Sequence, residues 1–439
     1  MSNAIIIKKK INTFEKKIVV TGDKSISIRW VLFSSLAEGV SEAKNLLVSE
    51  DVMAAINSVK KLGIKVILKK NICKIFGKGI NGYNYKKNLT IAANNSGTLG
   101  RLILGLLINS PYPIKLIGDN SLSKRDFKRI SDPLSKFGAT FQLKNNKNLP
   151  LTVYGAKNLK SIKYIEKKGS AQCKSAVIFG GMRANGTTLI KAKKSRNHTE
   201  LLCKYLKLPV IVKKKKNFDE IKVNKINKIK PINYNIPSDI SSSAFFIVLT
   251  ALTKNSKILI KNVNINPSRT GVLTILKKMG VKILLKNLKI YKGEKKADIQ
   301  VETAKKLKSI FCPTKLNSGA IDEFLLIFLV AAKAKGVSYF KNLDELNQKE
   351  SPRLKWGAKI LNKMGIKTVL TYNSLKIFGN PDLKLNKKIV IKDYLKDHRV
   401  FMTSVIAASV FGGTWNIHDK DSIKTSFPTF LNIINDLKK

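Results

Sequence analysis

The sequence predicts an α/β protein of two domains assembled from a repeated βαβαββ-type unit. Three observations carry that prediction. At 439 residues the chain exceeds what one typical core holds. An apolar helical stretch, a glycine and a short β-branched strand recur at residues 59–66, 134–141, 276–283 and 361–369. A Lys/Asn-rich stretch, 224–235, leads into Ile236-Pro237, where proline disfavours helix at the residue before it. Gly63, Gly138, Gly280 and Gly365 are read as residues just past a helix end, where positive φ lets the chain reverse into a strand. Their spacings of 75, 142 and 85 residues give a unit near 75 residues with one occurrence skipped, so about six units fit the chain.

The elements follow in order. A β-branched run, Ile18-Val19-Val20, stops before Gly22-Asp23-Lys24-Ser25-Ile26-Ser27-Ile28-Arg29, and Ile28, Val31, Leu32 and Leu36 then recur at helical spacing. A strand thus delivers Lys24 to a helix mouth, where unpaired N–H groups and the helix dipole favour an oxyanion or phosphate. Taken alone, the simpler reading is a helix capped by Ser25 or Ser27, with Lys24 and Arg29 solvated. Asn95-Ser96-Gly97-Thr98 is a small-residue turn opening an apolar helix over 99–107, again a place where backbone N–H groups can approach an anion. Ser170 and Gln172 precede another apolar helix and read as a cap and a first-turn polar residue. The polar break ends at Ser238-Asp239-Ile240-Ser241, which begins an apolar helix. Asp322 and Glu323 open a helical run over 324–332, where acids favourably meet the dipole. Lys349 and Glu350 stand between a strand over 337–340 and the helix holding Leu354 and Ile360.

Composition excludes several classes. No stretch of about 20 uncharged apolar residues exists, and residues 1–10 lack a signal-peptide core with a small-residue cleavage site, so a cytoplasmic protein with no membrane partner is expected. Cys73, Cys173, Cys203 and Cys312 stand far apart, and with only three histidines neither disulfides nor a metal site is expected. The formal charge of +55 invites a nucleic-acid reading. However, 74 of the 83 basic residues are lysine, the pattern of codon bias in an AT-rich genome, and aromatics are scarce beside them, so no nucleic-acid partner is expected. Where lysine is the default cation, the nine arginines become informative, because a guanidinium offers a bidentate fork that ammonium cannot.

Several segments carry a resemblance in shared order: Asp23-Lys24-Ser25-Ile26-Ser27; Asn95-Ser96-Gly97-Thr98 with Arg101; Lys124-Arg125 through Asp132-Pro133-Leu134; Ser170-Ala171-Gln172 with Lys174; and Ser195-Arg196-Asn197-His198-Thr199-Glu200. Further along come Asn266-Pro267-Ser268-Arg269-Thr270-Gly271, Ile321-Asp322-Glu323, Lys349-Glu350-Ser351, Asp397-His398-Arg399 and Ser426-Phe427-Pro428. Over nearly its whole length the chain resembles the family of 3-phosphoshikimate 1-carboxyvinyltransferases, the EPSP synthases. Five arginines, Arg29, Arg101, Arg125, Arg353 and Arg399, fall in these motifs, and Arg129, Arg183, Arg196 and Arg269 lie within or beside them.

The resemblance implies a two-domain inside-out α/β barrel, three units per domain, with the first strand joining the C-terminal half. The expected domains are residues 1–22 plus 238–439, carrying phosphoenolpyruvate and the catalytic carboxylates, and 23–237, binding shikimate 3-phosphate, with the site in a cleft that closes on its ligands. It implies transfer of the carboxyvinyl group of phosphoenolpyruvate to the 5-hydroxyl of shikimate 3-phosphate, by addition and elimination, in a cytoplasmic monomer without metal or organic cofactor. Lys24, Asp322 and Glu350 would be catalytic. Lys24 would contact the phosphoenolpyruvate phosphate and shuttle a proton, Asp322 would take the 5-hydroxyl proton, and Glu350 would exchange a proton at the methylene carbon. Ser25, Arg29, Ser170, Gln172, Ser195 and Lys349 would join Lys24 and Asp322 in binding shikimate 3-phosphate. Asn95, Gly97, Arg125, Gln172, Arg353 and Arg399 would join Lys24 in binding phosphoenolpyruvate, with Arg125 ranked above its neighbour Lys124. Asp397 and His398 would orient Arg399. Arg101 is either a surface helix cation or a direct contact, and His198 is assigned no proton transfer. Gly97 matches the glycine tied to glyphosate sensitivity.

Two departures stand out. Pro352 replaces a common aspartate, which removes a carboxylate partner for Arg353, and Lys424 is one place from the family's C-terminal lysine, with Thr425 in its stead. Two other functions compete. A UDP-N-acetylglucosamine enolpyruvyl transferase would typically carry a mobile-loop cysteine, yet no cysteine lies between Cys73 and Cys173. A basic nucleic-acid-binding protein on a degenerate enzyme fold would show steep salt-dependent binding without turnover.

Overall fold

The computed structural model describes residues 3–438. One repeat is seen whole between residues 89 and 154. It runs through strand Leu89–Ala92, inner helix Gly97–Leu107, strand Ile114–Ile117, outer helix Lys128–Ser135 and the hairpin Thr140–Lys144 with Asn148–Tyr154. Its first two strands are parallel and the hairpin antiparallel. Residues 163–223 repeat the pattern strand for strand.

Three of the other repeats take a strand from elsewhere in the chain. Tyr234–Asn235 lies parallel to Glu38–Lys44, and Glu15–Ile18 lies parallel to Lys257–Asn264. Lys308 and Phe311 make isolated parallel bridges beside Gly336–Phe340. In the last repeat, Ala4–Ile7 pairs antiparallel with Gly412–His418.

The repeats fall into two domains. One comprises Gly22–Ile236 together with Tyr291–Glu294; the other comprises the residues up to Thr21, Pro237–Ile290 and Lys295 onward. These limits differ by a residue from those drawn at 22 and 237, and they move the hairpin tip 291–294 to the first domain. In each domain three inner helices pack on one another and the sheets lie outside them, an inside-out α/β barrel. The inner helices are buried nearly all round: Lys24–Leu36 is buried from Ile26 on, and Ile240–Leu252 is buried throughout, as expected of a helix surrounded by other elements. Close approach of Gly97–Leu107 to Ala171–Gly181 depends on Gly105, where a Cβ would lie 2.2 Å from the Ala176 carbonyl oxygen.

The punctuating glycines behave as read: Gly63 and Gly365 have φ of +86° and +89° at outer-helix ends. The skipped occurrence is Lys207, just beyond helix His198–Tyr205, with φ of +55°. Searching for glycine missed it because a lysine holds the left-handed position there.

Candidate active site

In the first domain the N-terminal turns of the three inner helices are joined by side chains. Asp23, not Ser25 or Ser27, caps helix Lys24–Leu36 by accepting from the Ile26 N–H. Lys24 is half-buried and its Nζ lies 2.8 Å from Asp51 Oδ2. Arg29 is 3% exposed. Its Nε donates to Thr199 Oγ1 at 2.8 Å, its Nη1 to the Ser25 carbonyl and its Nη2 to Ser175 Oγ. Burial pushes its pKa down to about 10, opposed by Glu200 and Asp23, so it stays charged at neutral pH.

Ser96 and Ser170 cap the other two inner helices through the Leu99 and Cys173 N–H groups. The Asn95 amide donates to Asp119 Oδ2 at 2.6 Å. A Cβ on Gly97 would meet Arg125 Nη1 at 3.2 Å and Arg101 Nη1 at 3.5 Å, so two guanidiniums reach one helix mouth while Lys124 stays exposed. Arg101 is neither a surface cation nor placed at random: its Nη1 donates to Gln172 Oε1 at 2.5 Å. Ser195 is half-buried, with its Oγ inaccessible and making no hydrogen bond. His198 Nδ1 lies 2.6 Å from Glu294 of the hairpin tip, a fastening role.

The second domain gathers carboxylates about Arg353, which is 2% exposed. Asp397 Oδ2 accepts from its Nε at 2.8 Å and Oδ1 from its Nη2 at 3.2 Å. Its Nη1 lies 3.3 Å from Asp322 Oδ1, and Glu350 Oε2 accepts from its Nη2. Burial alone would lower the pKa of Arg353, but Asp397, Glu350 and Asp322 hold it above its usual value. Burial acts to raise the pKa of Asp397, yet the Arg353 charge and hydrogen bond keep it below the usual carboxylate range. Lys349 Nζ is 3.5 Å from Asp322 Oδ1. Arg399 Nη1 donates to the Asp322 carbonyl at 2.8 Å and lies 3.6 Å from Glu323. This arrangement holds two carboxylates, Asp322 and Glu350, on one guanidinium, with Lys349 and Arg399 beside them.

Two sequence expectations are corrected. Arg353 has three carboxylate partners despite Pro352, which stands at the N-cap of helix Arg353–Lys363. Asp397 sends its carboxylate to Arg353 and accepts only the backbone N–H of Arg399, while His398 Nδ1 faces Thr425 Oγ1 at 3.2 Å. Neither orients the Arg399 guanidinium. Lys424 is 58% exposed and pairs with Asp421 at 2.9 Å.

The family model for EPSP synthase (3-phosphoshikimate 1-carboxyvinyltransferase) matches residues 8–434. The chain belongs to the EPSP synthase family. It is 37% identical to the 3-phosphoshikimate 1-carboxyvinyltransferase of Caldicellulosiruptor saccharolyticus over 95% of each chain. It is 34% identical to that of Bacillus subtilis over 98% of this chain and 99% of the other. The EPSP synthase structure from Acinetobacter baumannii superposes with a TM-score of 0.87 at 34% identity, covering 98% of this chain and 97% of that one. The fold alone extends to the enolpyruvyl transferase NikO of Streptomyces tendae, with a TM-score of 0.76 at 12% identity over 100% of this chain and 98% of that one.

None of the nine arginines is exposed. Asp51 carries no signal in the sequence motifs, and Lys174 and Glu200, which stand in two of them, form a buried pair 2.6 Å apart that their separate segments do not announce. Acids are the scarcer signal, only 28 against 83 bases, and the buried Asp51, Glu200, Asp239 and Asp397 each pair with a lysine or arginine.

Proposed function

We propose that the protein transfers the carboxyvinyl group of phosphoenolpyruvate to the 5-hydroxyl of shikimate 3-phosphate, releasing phosphate. The observation that carries this reading is the pairing of Asp322 and Glu350 on the Arg353 guanidinium, in a chain matched almost end to end by the family model. Asp322 takes the hydroxyl proton as the oxygen bonds to C2 of phosphoenolpyruvate, and Glu350 delivers a proton to the methylene carbon. Loss of a proton from the resulting methyl group and departure of phosphate then leave the enol ether. Lys24, Arg125 and Arg399 receive phosphoenolpyruvate, and Lys24, Ser25, Arg29, Ser170, Gln172, Ser195 and Lys349 receive shikimate 3-phosphate. Asn95 and Gly97 shape the phosphoenolpyruvate side. Arg353, its fork already on Asp397, serves first to hold the carboxylates.

Both substrates are small anions, and no described helix is long and apolar enough to cross a membrane. We take the protein to act in the cytoplasm as a monomer, which light scattering on the purified chain tests. The deciding experiment is phosphate release from phosphoenolpyruvate with shikimate 3-phosphate, run beside UDP-N-acetylglucosamine and a Glu350→Gln variant. Release that requires shikimate 3-phosphate and falls roughly 10²–10⁴-fold in the variant is the expected outcome. Release with the nucleotide sugar instead would transfer the assignment to that acceptor.

A further inference from the structure

Arg101 sits one turn inside helix Gly97–Leu107, with its guanidinium over the Phe127 ring at 5.5 Å from the centroid. Its Nη1 donates to Gln172 Oε1, and Gln172 Nε2 donates to Thr98 Oγ1 at 3.1 Å. Those are the two hydrogen bonds of the Gln172 side chain, so the second N–H of its amide stays unused on a half-buried residue. A guanidinium has donors and no acceptor, so it can face only the oxygen of a primary amide, whereas a threonine hydroxyl suits either end. With Arg101 in place, an inverted amide would set NH2 against a cation.

We infer that Arg101 is a positioning residue that fixes the Gln172 amide as a hydrogen-bond donor toward a substrate oxygen. The inference rests on the reading of Gln172 as a substrate contact given above. The position is an unfavourable one for a cation that does nothing: burial, then Arg125 and Arg129, push the Arg101 pKa down to about 10. Arg101 also holds a rare arginine in a chain where lysine is the default, and the ring beneath it suits a planar group better than an ammonium. An amide locked as donor favours carboxylate, phosphate and hydroxyl oxygens and disfavours a substrate N–H, so Arg101 contributes to selectivity for oxyanions through Gln172 rather than by a contact of its own.

The test is a double-mutant cycle of Arg101→Leu and Gln172→Ala, read as kcat and KM for phosphoenolpyruvate and shikimate 3-phosphate, with Arg101→Lys as the conservative variant and thermal melting as a fold control. Arg101→Leu is expected to raise one of the two KM values roughly tenfold while changing kcat less. Arg101→Lys should recover part of that loss, and in the Gln172→Ala background Arg101→Leu should add little. Unchanged KM values, or the same loss in both backgrounds, would overturn the inference while leaving the reaction in place. Should Arg101→Leu fail to fold, the same cycle run with Arg101→Lys decides. Wild-type protein that does not turn over these substrates would overturn the function itself and this inference with it.

Discussion

At the N-terminal ends of their inner helices the two domains differ in charge. In the second domain every inner helix begins at an acid, Asp239, Glu323 or Asp397, and each acid holds an arginine. Asp239 lies 2.9 Å from Arg269, Asp397 lies 2.8 Å from Arg353 and Glu323 lies 3.6 Å from Arg399. In the first domain two of the three caps are serines, Ser96 and Ser170, and the groups around them are Arg101, Arg125 and Gln172. The same helix ends are therefore capped by acids that pair with arginines in one domain and mostly by neutral serines in the other. The lesson is that a repeated backbone fixes where charge is useful, while the capping residue decides its sign.

The comparison breaks most sharply at Asp322. Asp322→Asn should lower turnover roughly 10²–10⁴-fold with a small change in melting temperature, because its carboxylate is shared by Lys349 and Arg353 rather than buried alone. A variant that melts early but turns over normally when folded would make Asp322 structural. Next comes Asp397→Asn, which leaves the buried Arg353 with weaker partners. Denaturant unfolding should show a loss of about 3–5 kcal/mol. Because the Asp397 pKa is depressed in the folded protein, its contribution is fully present above the unfolded carboxylate pKa of about 3.9 and disappears as pH falls through the lower folded value. Melting profiles of the wild type and Asp397→Asn should accordingly converge in strong acid and separate above about pH 4.

A smaller effect is expected in the first domain. Lys24→Gln keeps a donor for Asp51 but removes the charge, and should raise the KM for phosphoenolpyruvate roughly ten- to a hundredfold. An unaltered KM would show that the Lys24–Asp51 pair is merely a helix clasp. Smallest of all, Lys207→Gly should stabilise the protein by about 0.5–1 kcal/mol, since glycine adopts the left-handed backbone without a Cβ penalty. A destabilised variant would mean that the lysine stem packs usefully at that helix end.

Glycine punctuation made the repeat legible, and scarcity made the arginines legible, because both are local signals. The hydrogen bonds that set their roles are not local. Arg353 finds Asp397 at a separation of 44 residues, Arg29 finds Thr199 across 170 and Arg101 finds Gln172 across 71. From the sequence, Pro352 removed a carboxylate from beside Arg353; in the fold Asp397 supplies one from another helix. The parallel edge strands Glu15–Ile18 and Tyr234–Asn235 were equally hidden, since their partners begin at Lys257 and Glu38, and short strands of this kind carry no pattern that names a distant neighbour.

The strand Ala4–Ile7 completes a sheet whose other members are Leu385–Ile391 and Gly412–His418. During synthesis at about 5–20 residues per second, the earliest part of this chain must wait some tens of seconds for its partner. The domain that contains Gly22–Ile236 closes its three sheets with strands made by residue 235, well before the other domain has all of its pieces. The domain of Gly22–Ile236 can thus complete its sheets first, while the apolar Ile5-Ile6-Ile7 segment stays without its strand partner until residues 412–418 are made.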